Sequence, residues 1–270
     1  MKPVVGVIGA GRMGAPIIGH LVRKGFATHA CDVDPGRQKL VSGYGAAWAE
    51  DAAALAGTCD VFLVCVGFDA QVRALLADGG PLRSVRLGSI VAILSTIHPD
   101  TVKELAAQAE PRGVHVVDST VCRGGEAADN ATLLSFVGGS AEVVARLTPV
   151  LRAYSADVVH TGGIGTAQVA KAVNNLILWA CLVADHEGLA LAQHYGADVE
   201  ALRKALMISS CANGPLEKWG TQTMAWAEDD MAIVGEMAAK AGISLPQAGL
   251  NREVCRALKP KRYQLELYGK

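Results

Sequence analysis

From Pro3 to Gly162, short β-branched runs alternate with alanine-rich stretches of helical character. The runs cover residues 4–8, 27–31, 61–66, 90–95, 114–118, 133–137 and 158–161. Each is apolar almost without a break, as strands are when both sheet faces are covered, so the segment predicts a parallel sheet flanked by helices. That is a doubly wound α/β domain. After Gly165 the pattern changes, because residues 167–194 hold no proline, one glycine (Gly188) and no strand signature. They predict one helix of about 42 Å. Its middle, residues 176–184, is apolar on every face and is expected to be buried all round. The rest of the chain, a second subunit or both must wrap it. Further helices are expected at 199–207, about 215–224, 230–241 and 250–258, with a polar tail to Lys270.

The first chemical signal is Gly9-Ala10-Gly11-Arg12-Met13-Gly14, a G-x-G-x-x-G element that leaves the first strand and opens a helix. Gly9 permits the tight turn, Gly11 lets a pyrophosphate reach the backbone, and Gly14 lets helix and strand pack closely. Asp32 follows at the end of the second strand, where it accepts hydrogen bonds from ribose hydroxyls and repels a 2′-phosphate. NAD is therefore favoured over NADP, with NADP kept open by Arg37, which reaches a phosphate if its loop folds back. The reading divides the chain into a Rossmann-type dinucleotide-binding domain, 1–161, and a smaller all-helical substrate and dimerisation domain, 162–270, built on the long interdomain helix.

Composition narrows the partners. A formal net charge of −1 and a pI near 6.6 supply no field for nucleic acid or anionic membranes, so a small molecule is the expected ligand. Seven cysteines without C-x-x-C or Cys/His spacing signal neither a disulfide framework nor zinc, and no metal is expected. Scattered thiols, a start without a charged-then-apolar leader and apolar runs too short to span a bilayer predict a cytoplasmic protein. With 51% hydrophobic residues and only about 109 of 270 left for the helical part, a homodimer or dimer-based tetramer is expected to cover the long helix.

The second signal is residues 162–175, Gly-Gly-Ile-Gly-Thr-Ala-Gln-Val-Ala-Lys-Ala-Val-Asn-Asn. Lys171 and Asn175 stand four apart on the predicted helix, on one face, able to meet one ligand. A lysine in so apolar a segment is costly, and burial would lower its pKa from about 10.4 toward neutrality. Together with the glycine motif ending Met13-Gly14, with Ser95-Thr96, and with Asp118-Ser119-Thr120-Val121, this chain resembles the β-hydroxyacid dehydrogenase family from Val4 to about Gly196. The resemblance resumes weakly from Trp226 to Leu250.

The resemblance implies that Lys171 is the catalytic acid/base and Asn175 a substrate ligand, and that Ser119, Thr120, Cys122, Arg123 and Gly124 form the loop gripping the substrate carboxylate. It also places Val66, Gly67, Gln71 and Thr96 with Gly9, Gly11, Arg12, Met13, Gly14 and Asp32 on the cofactor. Against the family's usual D-A-P-V-S-G-G, Cys122 replaces the serine and Arg123 the first glycine. Arg123 either takes a second acidic group or moves the carboxylate outward, or else points to solvent. Val66-Gly67 replaces Leu-Pro, and Asp229-Asp230-Met231 replaces K-D-L, with Asp229 at the lysine position. His186-Glu187 on the long helix reads as structural.

The implied activity is hydride transfer between a nicotinamide cofactor and a 3-hydroxy acid or its semialdehyde or keto acid. The alternatives are an imine reductase of the same fold, or a nucleotide-binding regulatory protein whose catalysis has decayed.

Overall fold

The computed structural model describes residues 2–76 and 80–268. It falls into two compact units, Met1–Lys171 and Ala172–Lys270.

In chain order the first unit runs β1 (Val5–Ile8), α1 (Gly14–Arg23), β2 (Thr28–Cys31), α2 (Gln38–Gly43), β3 (Ala47–Trp48), α3 (Ala52–Ala56), β4 (Val61–Val64) and α4 (Asp69–Leu76). It continues with β5 (Ile90–Ile93), α5 (Pro99–Ala109), β6 (His115–Asp118), β7 (Val121–Cys122), α6 (Gly124–Asp129), β8 (Leu133–Gly138), α7 (Ala141–Leu151), β9 (Ser155–Gly162) and the opening of α8 (Thr166–His194). The strands form one sheet in the order β3-β2-β1-β4-β5-β6-β8-β7, with β9 paired to β8. Alternate strand residues feed two cores. Val5, Val7, Val61, Leu63, Ile90 and Ala92 pack with α1 and α7. Ile8, Phe62, Val64, Val91, Ile93 and Val116 pack with α3, α4 and α5. Because both faces are covered, these strands read as continuous apolar runs.

The sheet departs from the all-parallel expectation in its second half. Pairing is parallel from β2 through β6, but β8 runs antiparallel to β6 and β7. Residues 123–132 are too few for a parallel crossover, so the chain turns back through α6. The two-residue strands β3 and β7 carry no periodicity from which to read them.

Strand register positions the functional loops. Ile8 lies level with Cys31 on one side and Val64 on the other, Val64 with Ile93, and Ile93 with Asp118. Gly9, Asp32, Cys65, Leu94 and Ser119 therefore leave the sheet side by side at its carboxyl edge, where open α/β sheets bind ligands.

In the second unit, α8 continues to His194 and is followed by α9 (Val199–Leu206), α10 (Gly214–Glu217), α11 (Ala227–Ala241) and α12 (Pro246–Leu258). Trp179, Leu182 and Val183 of α8 pack against Met231 and Val234 of α11 and Cys255 and Leu258 of α12. By length and composition α8 is apolar enough to cross a membrane, yet it supplies this core.

Two expectations for the second unit are corrected. The helix over 215–224 is a single turn, because Gly220 and Met224 adopt left-handed φ of +92° and +57°. The polar tail is packed: Leu265 is buried, Tyr263 stacks on His186, and Tyr268 donates to Glu187. Within 176–184, Ile177 is 58% exposed in the single chain, a side that the expectation leaves to a second subunit.

Candidate active site

The glycine loop has the shape a dinucleotide diphosphate requires. Gly9 sits at φ +99°, and a Cβ there would lie 2.3 Å from the Cys65 carbonyl oxygen. At Gly14 a Cβ would lie 1.9 Å from the Gly9 oxygen, whereas Gly11 faces open space. No side chain caps α1, and its first turn holds no acidic residue. The Ala15 amide donates to the Gly11 carbonyl and Pro16 has no N–H, so what the helix start offers an anion is its positive dipole end, uncapped and without an acidic neighbour in the first turn.

Asp32 stands at the end of β2, one carboxylate oxygen accepting from the Ala10 amide at 2.6 Å and the other from Asp34 at 2.9 Å. Both oxygens keep lone pairs for ribose hydroxyls. Arg37 is paired with Asp34 at 3.4 Å. Below the loop, burial and then the nearby Asp32 push the Cys65 thiol up to about 12, so it stays neutral.

The loop after β4 is held from inside. Ser95 Oγ accepts from the Val66 amide and donates to the Val66 carbonyl, while Gln71 Oε1 accepts from the amides of Gly67 and Phe68. Gln71, expected on the cofactor, spends its carbonyl oxygen on this loop. Thr96 is half-buried beside it.

The loop expected to grip the substrate leaves β6 at Asp118. Ser119 and Thr120 are fully buried. Thr120 donates to the Ala167 carbonyl at 3.0 Å, and Ser119 Oγ has no partner. Cys122 is buried, and Lys171 Nζ lies 2.9 Å from the Val121 carbonyl oxygen, to which it donates, and 3.9 Å from Cys122 Sγ. Thus the structure brings Lys171 onto the loop that carries Ser119, Thr120, Cys122 and Gly124.

Arg123 has a partner of its own. Its guanidinium donates to the Thr132 carbonyl and pairs with Asp157 at 2.7 Å. It also occupies a left-handed backbone position, φ +83°, which explains why the family places glycine there: a side chain at such a position costs roughly 1–2 kcal/mol.

Sequence reasoning passed over two residues that fix the start of α8. Asp118, fully buried, accepts from the Gly165 and Gln168 amides at 2.8 and 2.9 Å. Burial pushes its carboxyl above the ordinary value, and those amides oppose the rise. Gln168, 1% exposed, accepts from the Ile97 amide at 3.0 Å and donates to the Ser95 carbonyl at 2.8 Å. It grips the backbone on both sides of Thr96. A buried Asp one loop before a helix and a Gln three residues before the lysine were the available signals.

In the second unit Asn175 is buried, its side-chain oxygen accepting from Asn174. Asp229 is exposed, whereas its neighbour Asp230 is buried and accepts from the Trp179 indole at 2.9 Å. His186 is structural: its Nδ1–H donates to the Leu182 carbonyl, and its Nε2 accepts from the Tyr263 amide.

Comparison with known proteins agrees with this geometry. Residues 4–163 match the family described as the NAD binding domain of 6-phosphogluconate dehydrogenase. Residues 165–265 match the NAD-binding family of NADP-dependent 3-hydroxyisobutyrate dehydrogenase. An NAD-dependent L-serine dehydrogenase of Pseudomonas aeruginosa is 30% identical over 79% of this chain and 72% of its own length. A 2-(hydroxymethyl)glutarate dehydrogenase of Eubacterium barkeri is 25% identical over 93% and 87%. The fold is shared with a Mycobacterium tuberculosis 3-hydroxyisobutyrate dehydrogenase solved with L-serine, at TM-score 0.87 and 23% identity over 97% and 95% of the two chains. The chain belongs to the β-hydroxyacid dehydrogenase family and is an NAD(P)-dependent oxidoreductase.

Proposed function

We propose that this protein oxidises a 3-hydroxypropanoate substituted at carbon 2 to its semialdehyde, or reduces the semialdehyde, with NAD preferred and Lys171 as general acid/base. The carrying observation is Lys171 Nζ on the Val121 carbonyl, on the loop that leaves the same sheet edge as the glycine loop. The substrates named for the relatives, L-serine, 2-(hydroxymethyl)glutarate and 3-hydroxyisobutyrate, share one skeleton, HOCH2–CH(R)–COO⁻. They differ only at R.

The bound nicotinamide supplies the hydride acceptor. Lys171 takes the hydroxyl proton at Nζ during oxidation and returns it to the carbonyl oxygen during reduction. The Ser119–Gly124 backbone and the unpartnered Ser119 hydroxyl hold the carboxylate, which sets the hydroxyl against Lys171. Arg123, occupied by Asp157, is an anchor of the loop, which favours substrates with one carboxylate. Asp32 selects NAD, and Asp34 holds Arg37 away from a 2′-phosphate.

The protein acts as a homodimer in this reading. At 100° per residue, Val169, Val173, Ile177, Ala180, Ala184, Gly188 and Leu191 lie within one 100° arc of α8, opposite Lys171 and Asn175. Val169, Val173, Ile177 and Leu191 are 42–60% exposed. A second copy of α8 covers them.

The test is a panel of 2-substituted 3-hydroxypropanoates, semialdehydes and cyclic imines with NAD and NADP, following reduced nicotinamide by absorbance. Turnover of a hydroxymethyl acid with NAD supports the reading. Activity on imines alone overturns it, and a monomer by light scattering at micromolar concentration removes the dimer.

A further inference from the structure

Arg12 lies inside the glycine loop, between Gly11 and the start of α1, but its guanidinium lies against α6. Nη1 and Nη2 donate to the two carboxylate oxygens of Asp129, each at 2.7 Å, in a bidentate fork. A Cβ built on Gly125 would stand 2.4–2.6 Å from the same guanidinium, so the absence of a side chain at Gly125 leaves room for it. Farther along α1, His20 Nε2–H donates to the carbonyls of Ala128 at 2.9 Å and Asp129 at 3.1 Å, while its Nδ1 accepts from Arg23 at 2.7 Å. The helix whose N-terminus faces the diphosphate position therefore holds the C-terminal end of α6, and the Arg12 guanidinium lies over Gly125 near its start.

The Arg12 and Asp129 side chains are 60% and 52% exposed. An ion pair so open to water contributes little to fold stability, and holding two flexible side chains in one geometry opposes it. Its geometry matters more than its strength. Arg12 is adjacent to Gly11, the residue whose backbone is open to the diphosphate. Ordering the loop on a diphosphate orders the Arg12 backbone, which lowers the entropic cost of the fork to Asp129 and so of fixing α6.

We propose that the Arg12–Asp129 fork over Gly125 is a positioning device that couples dinucleotide binding to ordering of the substrate loop, so that the cofactor prepares residues 119–129 for the hydroxy acid. It rests on the functional reading above. Asp129 acts through Arg12 and the loop and touches neither cofactor nor reacting atoms.

The experiment compares the unaltered protein with Asp129→Asn, which keeps the Arg12 charge, and with Gly125→Ala, which expels the guanidinium sterically within a helical segment. Asp129→Glu serves as the conservative rescue. Hydrogen exchange of residues 119–129 is followed with and without NADH, and KM and kcat are measured for the best hydroxy acid. NADH is expected to slow exchange at 119–129 in the unaltered protein by about fivefold or more. That protection is lost in Asp129→Asn and Gly125→Ala and restored in Asp129→Glu. In the two broken variants KM for the hydroxy acid rises by a similar factor while kcat stays nearly constant.

Equal protection in Asp129→Asn and the unaltered protein overturns the proposal. So does faster exchange at 119–129 on NADH addition, which would mean that the diphosphate takes Arg12 from Asp129. Absence of turnover with every hydroxy acid, with the NADH-dependent protection intact, would sink the functional reading and leave the fork standing.

Discussion

Gln168 offers the sharpest test of how the site is held, because one buried side chain closes two backbone groups at once. Replacing it with alanine strands the Ile97 amide and the Ser95 carbonyl. A buried polar group left unpaired costs about 1–3 kcal/mol, and the one lost methylene about 0.8 kcal/mol. The sum is roughly 3–7 kcal/mol. Water entering the void repairs part of it, so the lower end, about 3–4 kcal/mol, is the expected loss. For a unit of 171 residues each kcal/mol lowers the melting temperature by about 2–4 °C, giving a drop of about 6–16 °C by calorimetry.

Gln168→Glu separates the two bonds. The glutamate keeps the acceptor for Ile97, but its second oxygen faces the Ser95 carbonyl and bonds there only when protonated. Its folded pKa therefore lies above the unfolded value of about 4.3. The folded state then binds more protons than the unfolded state, so stability falls as pH rises above that value until the folded pKa is passed. The gap to the unaltered protein should be small near pH 4 and wide at pH 8. A melting temperature lowered by less than about 2 °C in Gln168→Ala, or a pH-independent gap in Gln168→Glu, would refute the assignment.

The remaining predictions concern chemistry and pH. Lys171→Ala should lower kcat by about 10²–10⁴ while leaving NADH binding by fluorescence and the melting temperature in place; loss of binding instead would make Lys171 a cofactor residue. Asp32→Ala removes a charge-assisted acceptor worth about 1.5–3 kcal/mol, so KM for NAD should rise about ten- to a hundredfold with no matching rise for NADP. Arg123→Gly relieves the left-handed strain of about 1–2 kcal/mol but loses the Asp157 contact, so stability in denaturant titration should hold or rise; a clear loss would show that the anchor outweighs the strain. Burial lowers the His186 pKa, so below about pH 6.5 the unfolded chain binds the proton and the folded one resists it. The second unit should therefore melt progressively lower between pH 7 and pH 5, and no change would count against its neutral, doubly bonded state.

Much of the framework was legible because it rests on local rules. Continuous apolar runs marked β1, β2, β4, β5 and β6, and the glycine spacing marked the loop at which a Cβ on Gly9 or Gly14 would collide with backbone. What escaped was tertiary. No local signal says that β8 turns back antiparallel, that Gly220 and Met224 break a helix-like stretch, or that the 259–268 segment packs on His186. Arg123 shows the difference at one residue. Its departure from glycine was visible, but only the backbone angle shows why glycine belongs there, and only Asp157 shows where the guanidinium goes.

The residues missed at the site share a reason. A lysine on a four-carbon stem is a poor instrument unless its helix is fixed, because catalytic groups must be held to within about 0.5 Å. The first turn of α8 is bonded to two segments by three side chains: Asp118 holds the amides of Gly165 and Gln168, Thr120 the carbonyl of Ala167, and Gln168 the Ser95–Ile97 backbone. Lys171 then needs only one further contact, the Val121 carbonyl, to be placed. Asp118 and Thr120 belong to the end of β6 and the loop that follows it, and Ser95 and Ile97 flank the half-buried Thr96. Displacing either segment moves the lysine, so a change at Gln168 or Asp118 that preserves folding should alter kcat more than the KM of either ligand.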